Sequence, residues 1–411
     1  MKQCGKLWLG KLIIYCHLNL IINPKILMIR LGEIEEKKAP LPLIVSIAES
    51  LNILHLSSPL SWRGGEQQLF YLFNGLKIKG IRQLVFCPEN SILATKLADT
   101  DKILFEKKSG FDLNAAKMLK NMCAKNGVNL IHAHDSHSHT TAVLAALLFG
   151  NKPDIVLSRR VDFEIGKSWF SHYKYNFKKI KAIVCVSEAI RQIVLPKIKR
   201  TEMVKTVHSG VDSSKFFGVK KKNLKQELGI PTETKMVANV AALADHKDYP
   251  TFLRTAKNVL SKKQDVVFLI IGSGELEEEL KEQAHNLKIA NKVLFLGFRD
   301  DLPQLYPNFD LILFTSKTEG LGTSVLDAFA NKIPVVATNA GGIPEMIINN
   351  ETGLLAQIGD DLELSKLVIE LLDNREKSMK LAENANQKLA EFSVENMVNK
   401  TYEIYQQIAA N

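Results

Sequence analysis

The sequence predicts an α/β protein made of two parallel sheets in tandem, each strand leading through a turn into a crossover helix. Three observations predict it. A chain of 411 residues is too long for one ordinary core. From Leu51 onward, short apolar runs alternate with helix-period stretches. The same alternation then restarts beyond a basic segment, residues 215–225, which reads as a linker entering a short helix.

In the first half the apolar runs fall at 53–56, 84–87, 130–133, 155–158, 182–186 and 204–207. Helical stretches fit 66–79, 113–126 and 140–149. In the second half strands are expected at 236–240, 266–271, 293–296, 311–314, 334–337 and 353–356, with helices at 249–262, 275–287, 323–331 and 362–372. The closing stretch 378–410 reads as helical and able to reach back to the first half. This gives domains at 51–215 and 226–395, with 396–411 as a returning helix. Two Rossmann-like sheets of this kind face each other across a cleft at their C-terminal strand edges, where such folds bind ligands.

Composition narrows the function. Apolar residues make up 46% of the chain, so core formation is not limiting, and its five cysteines are scattered without CxxC spacing. They read as reduced thiols of a cytoplasmic protein, not as a disulfide frame or a zinc knuckle. The net charge of +10 is uneven. Residues 51–215 hold 25 Lys+Arg against 13 Asp+Glu, a net of +12, and residues 216–411 hold 22 against 27, a net of −5. A basic first half points to an anionic partner. No nucleic-acid module or stacking-aromatic pattern is visible, so nucleic acid is not expected. An anionic membrane surface or a phosphorylated lipid fits, with the protein peripheral at its inner face.

Residues 1–50 read as a leader outside the fold. The apolar stretch 7–22 is broken by Lys11, His17 and Asn19, which makes a poor membrane span, and no small-residue cleavage site follows. Translation is expected to start at Leu51 from a non-ATG codon, with a weak amphipathic anchor as the alternative.

Several motifs sit where strands hand over to helices. Arg63-Gly64-Gly65-Glu66 follows the first strand and opens a helix, which allows close backbone approach to an anion, although the dinucleotide spacing GxGxxG is missing. Residues 131–139 hold His132, His134, Asp135, His137 and His139. Imidazole and carboxylate suit zinc or iron, but the turn after the strand scatters these groups and no second ligand cluster is evident. His134, at the strand end, is the one expected in a cleft. Arg159-Arg160 and Lys247 also sit at strand ends, where cations suit a pyrophosphate. Gly272-Ser273-Gly274 is a further strand-to-helix turn. The strongest element is Glu319-Gly320-Leu321-Gly322-Thr323, leading into a helix that carries Asp327. A carboxylate at the cleft edge beside free N–H groups of a helix start can hold a sugar next to its phosphate.

From residue 52 to about 408 this series resembles glycosyltransferase family 4, which has the two-domain GT-B fold. The resemblance implies that Gly64 and Gly65 lie near the donor phosphates, and that His134 approaches the transferred sugar. It gives Lys247 the pyrophosphate, and Glu319 and Asp327 the sugar and ribose. Gly274, Gly320, Leu321, Gly322 and Thr323 then line the donor, while Arg159 and Arg160 lie on the acceptor or phosphate side. Two departures stand out: the second carboxylate is Asp327 where Glu is usual, and Ala242 occupies the place of the usual phosphate-binding Arg. His246, Arg299 or the Arg159/Arg160 pair are the candidate replacements.

The implied activity is a retaining, hexosyltransferase-like transfer from a nucleotide-sugar cosubstrate to a glycan or lipid-linked acceptor in cell-envelope synthesis. No cofactor and no metal are expected. A non-hydrolysing sugar-nucleotide epimerase, or a nucleotide-sugar-binding protein without turnover, are the alternatives.

Overall fold

The computed structural model describes residues 51–108, 112–166 and 168–410. The leader 1–50, and with it the expected start at Leu51, lies outside the described residues. The first sheet has seven parallel strands: β1 (Asn52–Leu56), β2 (Arg82–Pro88), β3 (Lys102–Phe105), β4 (Leu130–Ala133), β5 (Asp154–Arg159), β6 (Ile180–Cys185) and β7 (Val204–Thr206). They are ordered β3-β2-β1-β4-β5-β6-β7. The second has six parallel strands: β8 (Lys235–Val240), β9 (Val266–Ile271), β10 (Val293–Phe295), β11 (Leu311–Phe314), β12 (Val335–Thr338) and β13 (Leu354–Ala356), in the order β10-β9-β8-β11-β12-β13.

Both orders begin with the doubly wound 3-2-1-4-5-6 arrangement, so each sheet reverses direction between its first and fourth strands. These switch points, β1/β4 and β8/β11, are where a crevice opens at the carboxyl ends of the strands. The strands are apolar throughout because helices cover both faces of the sheets. All six residues of β9, Val-Val-Phe-Leu-Ile-Ile, are buried. In the first sheet several buried polar residues break that rule, among them Gln83 on β2, Arg159 on β5 and His55 on β1, which lies directly opposite the buried His132 on β4.

The structure differs from the sequence reading at identifiable places. Edge strand β3 was not expected: it is short and only partly buried, and its apolar run is just Ile103-Leu104-Phe105. The helix expected at 140–149 starts at Ser136, because Asp135 accepts hydrogen bonds from His137 N (2.9 Å) and Ser138 N (3.0 Å) and so caps it earlier. Short helices Trp169–Tyr175 and Glu188–Val194 were not expected.

The closing stretch is two helices, Arg375–Lys388 and Val394–Ala409, and not one. Between them lies a 3-10 turn, and Ser393 caps the second by accepting from Asn396 N. The last helix packs on the first lobe. Gly75 makes room for it, since a Cβ there would sit 2.5 Å from Val398, and Tyr405 reaches His132.

The two lobes meet directly at the carboxyl edges. A Cβ on Gly320 would stand 2.6 Å from the Arg160 carbonyl oxygen, and one on Gly342 would stand 2.9 Å from Ser187. Glu345 accepts from Glu188 N (2.8 Å) and Ala189 N (2.9 Å) at the start of helix Glu188–Val194, and pairs with His208 Nε2 at 2.8 Å.

Candidate active site

On the second lobe the site is built at the β8/β11 switch point. After β8 the chain makes a 3-10 turn, Asp245–Lys247, and Asp248 then caps helix Tyr249–Leu260 in a left-handed conformation (φ 50°). Thr315, just past β11, donates from Oγ1 to the carbonyls of Lys247 and Asp248, both at 3.1 Å, which ties this turn to the end of β11. Four residues further on, Glu319 is buried and its carboxylate pairs with Lys247 Nζ. Ser316 Oγ donates to the same carboxylate at 3.0 Å. Gly341, at φ 50°, lets the next loop close over Glu319: a Cβ there would lie 1.9 Å from the Glu319 carbonyl oxygen. An ammonium and a carboxylate are thus held together at the mouth of the crevice, both mostly withdrawn from water.

Gly320-Leu321-Gly322 follows, with Gly322 at φ 87°, and helix Thr323–Ala330 begins immediately. A gap of about 210 Å³ separates this turn from the first lobe. Glu319 to Thr323 line one side; Gly64, Gly65 and Arg160 line the other. Gly64 and Gly65 open helix Gly64–Ile78, whose start is closed by Glu66 accepting from Arg63 N at 3.0 Å. Two helix starts therefore face one gap, and their free N–H groups favour an anion there.

The four candidate replacements for the cation missing at Ala242 have different surroundings. Arg299 lines a cleft of about 280 Å³ with Ala242, but Asp301 grips it at 2.7 and 2.6 Å and Glu227 at 2.8 Å. Those hydrogen bonds raise its pKa further and commit its charge. Arg159 is buried, bonded to Tyr175 Oη (3.1 Å) and to the Phe163 carbonyl. His246 is exposed. Arg160 alone of the four lines the gap between the lobes, and its buried Nε has no partner among the described residues. Burial lowers its pKa to about 10, so it remains a cation at neutral pH.

Two expected donor residues lie elsewhere. Gly274 is a packing glycine: a Cβ there would sit 2.2 Å from the Leu243 carbonyl oxygen, so it lets the β9 loop close on the β8 loop. Asp327 does not reach the lining of the gap. Its carboxylate is turned to Lys215 Nζ at 2.7 Å, on the segment joining the lobes. Burial pushes the pKa of Asp327 up, and Lys215 opposes that.

The first-lobe side of the site is a cavity of about 420 Å³ lined by Gly65, Glu66, His134, Asp135, Arg159 and Arg160. Asp135 is held by Ser58, which gives it both N–H and Oγ–H, so its place is fixed between the β1 and β4 loops. His134 is 6% exposed. His137 is exposed, and His139 turns into the core toward the Lys174 carbonyl.

The second cluster that the sequence did not reveal is His55. Its ring lies beside those of His132 and His134, and the three offer ring nitrogens within 4.8 Å of one another. These nitrogens bond to protein groups: His55 to Gln83 and His134, His132 to Tyr405 (2.5 Å) and Ser158 (2.9 Å). A metal would have to displace those bonds. Burial drives the pKa of all three imidazoles below the ordinary value. His55, Gln83 and Tyr405 are the participants that sequence reasoning missed, and Glu66 was named there only as part of the glycine turn. The one available signal was a histidine inside the otherwise apolar run of β1.

Comparison with known proteins bears on the family and the fold. The family model for Glycosyltransferase Family 4 matches residues 62–215, and that for Glycosyl transferases group 1 matches 220–388. The N-acetyl-alpha-D-glucosaminyl L-malate synthase of Bacillus anthracis is 25% identical over 301 residues, covering 72% of this chain and 79% of its own. The Escherichia coli UDP-Gal:alpha-D-GlcNAc-diphosphoundecaprenol alpha-1,3-galactosyltransferase is 23% identical, covering 80% and 89%. Among solved structures, a glycosyltransferase from Rickettsia africae superposes with a TM-score of 0.78 at 22% identity, over 88% of this chain and 99% of that one. Anabaena Alr3699/HepE in complex with UDP-glucose gives 0.75 at 22%, over 88% and 100%. With two adjoining family models spanning both lobes, the chain belongs to the family 4 type of glycosyltransferases with the GT-B fold.

Proposed function

We propose that this glycosyltransferase takes a sugar from a nucleotide diphosphate donor bound in the gap between the lobes. The sugar passes, with retention at the anomeric carbon, to a hydroxyl of a glycan or lipid-linked acceptor in cell-envelope synthesis. One observation carries the reading: Lys247 pairs with Glu319 at the β8/β11 switch point, and Glu319 faces Gly64, Gly65 and Arg160 across a gap floored by a helix start. A diphosphate in that gap meets Lys247, Arg160 and the N–H groups near Thr323, so the charge that develops on the leaving group is met by groups already in position. Glu319, released from Lys247 as the phosphates take the ammonium, orients the sugar hydroxyls. The departing phosphate oxygen takes the proton of the attacking hydroxyl, so the step needs neither a strong protein base nor a metal.

The acceptor is the less determined partner. Relatives named for a diphosphoundecaprenol-linked acceptor and for diacylglycerol support a lipid-linked one. So does the basic first lobe, where Trp169 and Phe163 are 76% and 63% exposed. No helix among the described residues is long and apolar enough to cross a membrane, and attachment at the surface is the form proposed. Co-sedimentation with anionic vesicles should weaken with salt as the Debye length falls to ~3 Å at 1 M. Equal binding to neutral vesicles would count against it.

The deciding experiment screens UDP-, GDP- and ADP-sugars for thermal stabilisation, then follows the product by NMR in the presence of EDTA. The reading expects one donor to stabilise strongly and the α-linked configuration of that donor to persist in the product. Inversion, a product formed without acceptor, or activity that returns only with added metal would each refute part of it.

A further inference from the structure

A chain of hydrogen bonds in the first lobe has a direction fixed at one end. The Phe73 carbonyl can only accept, so Gln83 turns its amide NH₂ there, at 2.6 Å. Gln83 Oε1 consequently faces His55 Nε2 at 3.0 Å, and that nitrogen must carry a proton. His55 is fully buried, and burial lowers its pKa to about 4, so near neutral pH it has a single ring proton. Its Nδ1 is then a bare lone pair. His134 Nε2 lies 3.0 Å from it, and so His134 is the donor in that contact. Desolvation, together with His132, His55 and Arg160, also keeps His134 neutral, which leaves its own Nδ1 unprotonated.

That Nδ1 is buried and has no partner among the protein groups described. Arg160 Nε and Arg159 Nε, both buried donors, are also unpartnered, and all three residues line the same cavity. A hydroxyl group answers donor and lone pair alike, since it accepts from N–H and donates to a lone pair. A carbonyl or phosphate oxygen satisfies Arg160 but meets His134 lone pair to lone pair.

We propose that Gln83 and His55 are positioning residues that lock His134 as its Nε2–H tautomer, so that Nδ1 accepts a hydrogen bond from a hydroxyl of the bound sugar. The sugar itself rests on the functional reading above; the tautomer does not. His134 is the residue that touches ligand, and the other two act through it. The relay makes this end of an otherwise cationic cleft selective for hydroxyls.

The test uses full-length protein labelled with ¹⁵N-histidine and long-range ¹H–¹⁵N correlation near pH 7. A His134→Asn sample identifies the resonances. Wild type should show His134 protonated at Nε2 and bare at Nδ1. The nucleotide sugar that best stabilises the protein, taken from UDP-glucose, UDP-galactose, UDP-N-acetylglucosamine and GDP-mannose, should shift the Nδ1 resonance as hydrogen-bond acceptance does. His55→Phe fills the ring volume without an acceptor and should free the tautomer, lowering kcat about ten-fold, equal to ~1.4 kcal/mol. His55→Gln keeps a donor on one side and an acceptor on the other, and should restore the tautomer and most of the turnover. If His55→Phe does not fold, Gln83→Met breaks the relay one link earlier and should loosen the same tautomer.

A proton on Nδ1 in wild type, unchanged turnover in folded His55→Phe, or zinc uptake that shifts all three rings would overturn the relay. If no nucleotide sugar stabilises wild type, the functional reading and the hydroxyl assignment fail together, and the tautomer spectrum still judges the relay. If a sugar binds but leaves Nδ1 unmoved, only the hydroxyl assignment fails.

Discussion

The two lobes share a strand order yet build their halves of the site by opposite means. In the second lobe, Lys247 and Glu319 come from two loops at one switch point and already hold each other. The turn that follows Glu319 is contiguous in sequence. In the first lobe the working groups come from four strands: His55 from β1, Gln83 from β2, His134 from the end of β4 and Arg160 from the end of β5. Several polar atoms there, among them His134 Nδ1, Arg159 Nε and Arg160 Nε, are left unpaired. The contrast teaches a division of labour. The second lobe presents a compensated ion pair, whereas the first presents buried, unsatisfied groups.

The largest expected difference is in acid sensitivity. His55, His132, His134 and His139 are all buried in the first lobe with lowered pKa values, about 4 for His55 and about 3 for His139. The unfolded chain takes up these protons near pH 6.5, before the folded one does. Their contribution is therefore complete above pH 6.5 and is lost as pH falls toward 4, by about 1.4 kcal/mol per pH unit for each histidine that stays neutral. The described histidines of the second lobe, His246 and His285, are exposed. Hydrogen exchange between pH 7 and 5 should show protection lost first in residues 52–206. Uniform loss across both sheets would break the comparison.

Next in size is Glu319→Gln, which preserves shape and removes the charge. Its kcat should fall on the order of 10²-fold, more than donor affinity does, because the carboxylate matters most as charge develops on the sugar. Steady-state kinetics, with circular dichroism to confirm folding, decides it. Asp327→Asn should be milder. Its carboxylate faces Lys215 and not the gap, and relief of a buried charge offsets the lost pairing, so stability should change by less than about 1 kcal/mol with donor affinity within about two-fold. A large loss of donor affinity would return Asp327 to the ribose. Deleting residues 1–50 should change neither melting temperature nor turnover, and aggregation of the truncated protein would contradict that.

The same contrast explains what could be read from the sequence. The second-lobe site was legible because glycines at 320 and 322, a carboxylate and a helix start lie within one short stretch, where local chemistry announces itself. Strands such as β9 were legible from unbroken apolar runs. The first-lobe relay was not, because register, and no local pattern, brings His55 opposite His132 and next to Gln83. The histidine run scatters after the strand, as the sequence reading expected. Asp135 caps the helix at Ser136, so His137 and His139 follow helical geometry and leave the cleft. Asp327 kept the expected spacing from Glu319, yet its direction was decided by Lys215, a residue more than a hundred positions away in the linker.

The central claim, that Lys247 holds the diphosphate of a nucleotide-sugar donor, is tested most directly by calorimetric titration of the stabilising donor into wild type and Lys247→Ala. The lost contact is charge-assisted and partly desolvated, worth about 1.5–3 kcal/mol. With Ala242 in place of the usual arginine, and Arg160 on the far side of the gap as the other cation, the account predicts donor affinity weakened by roughly 10- to 150-fold, with folding intact. Donor affinity within two-fold of wild type in folded Lys247→Ala would contradict it.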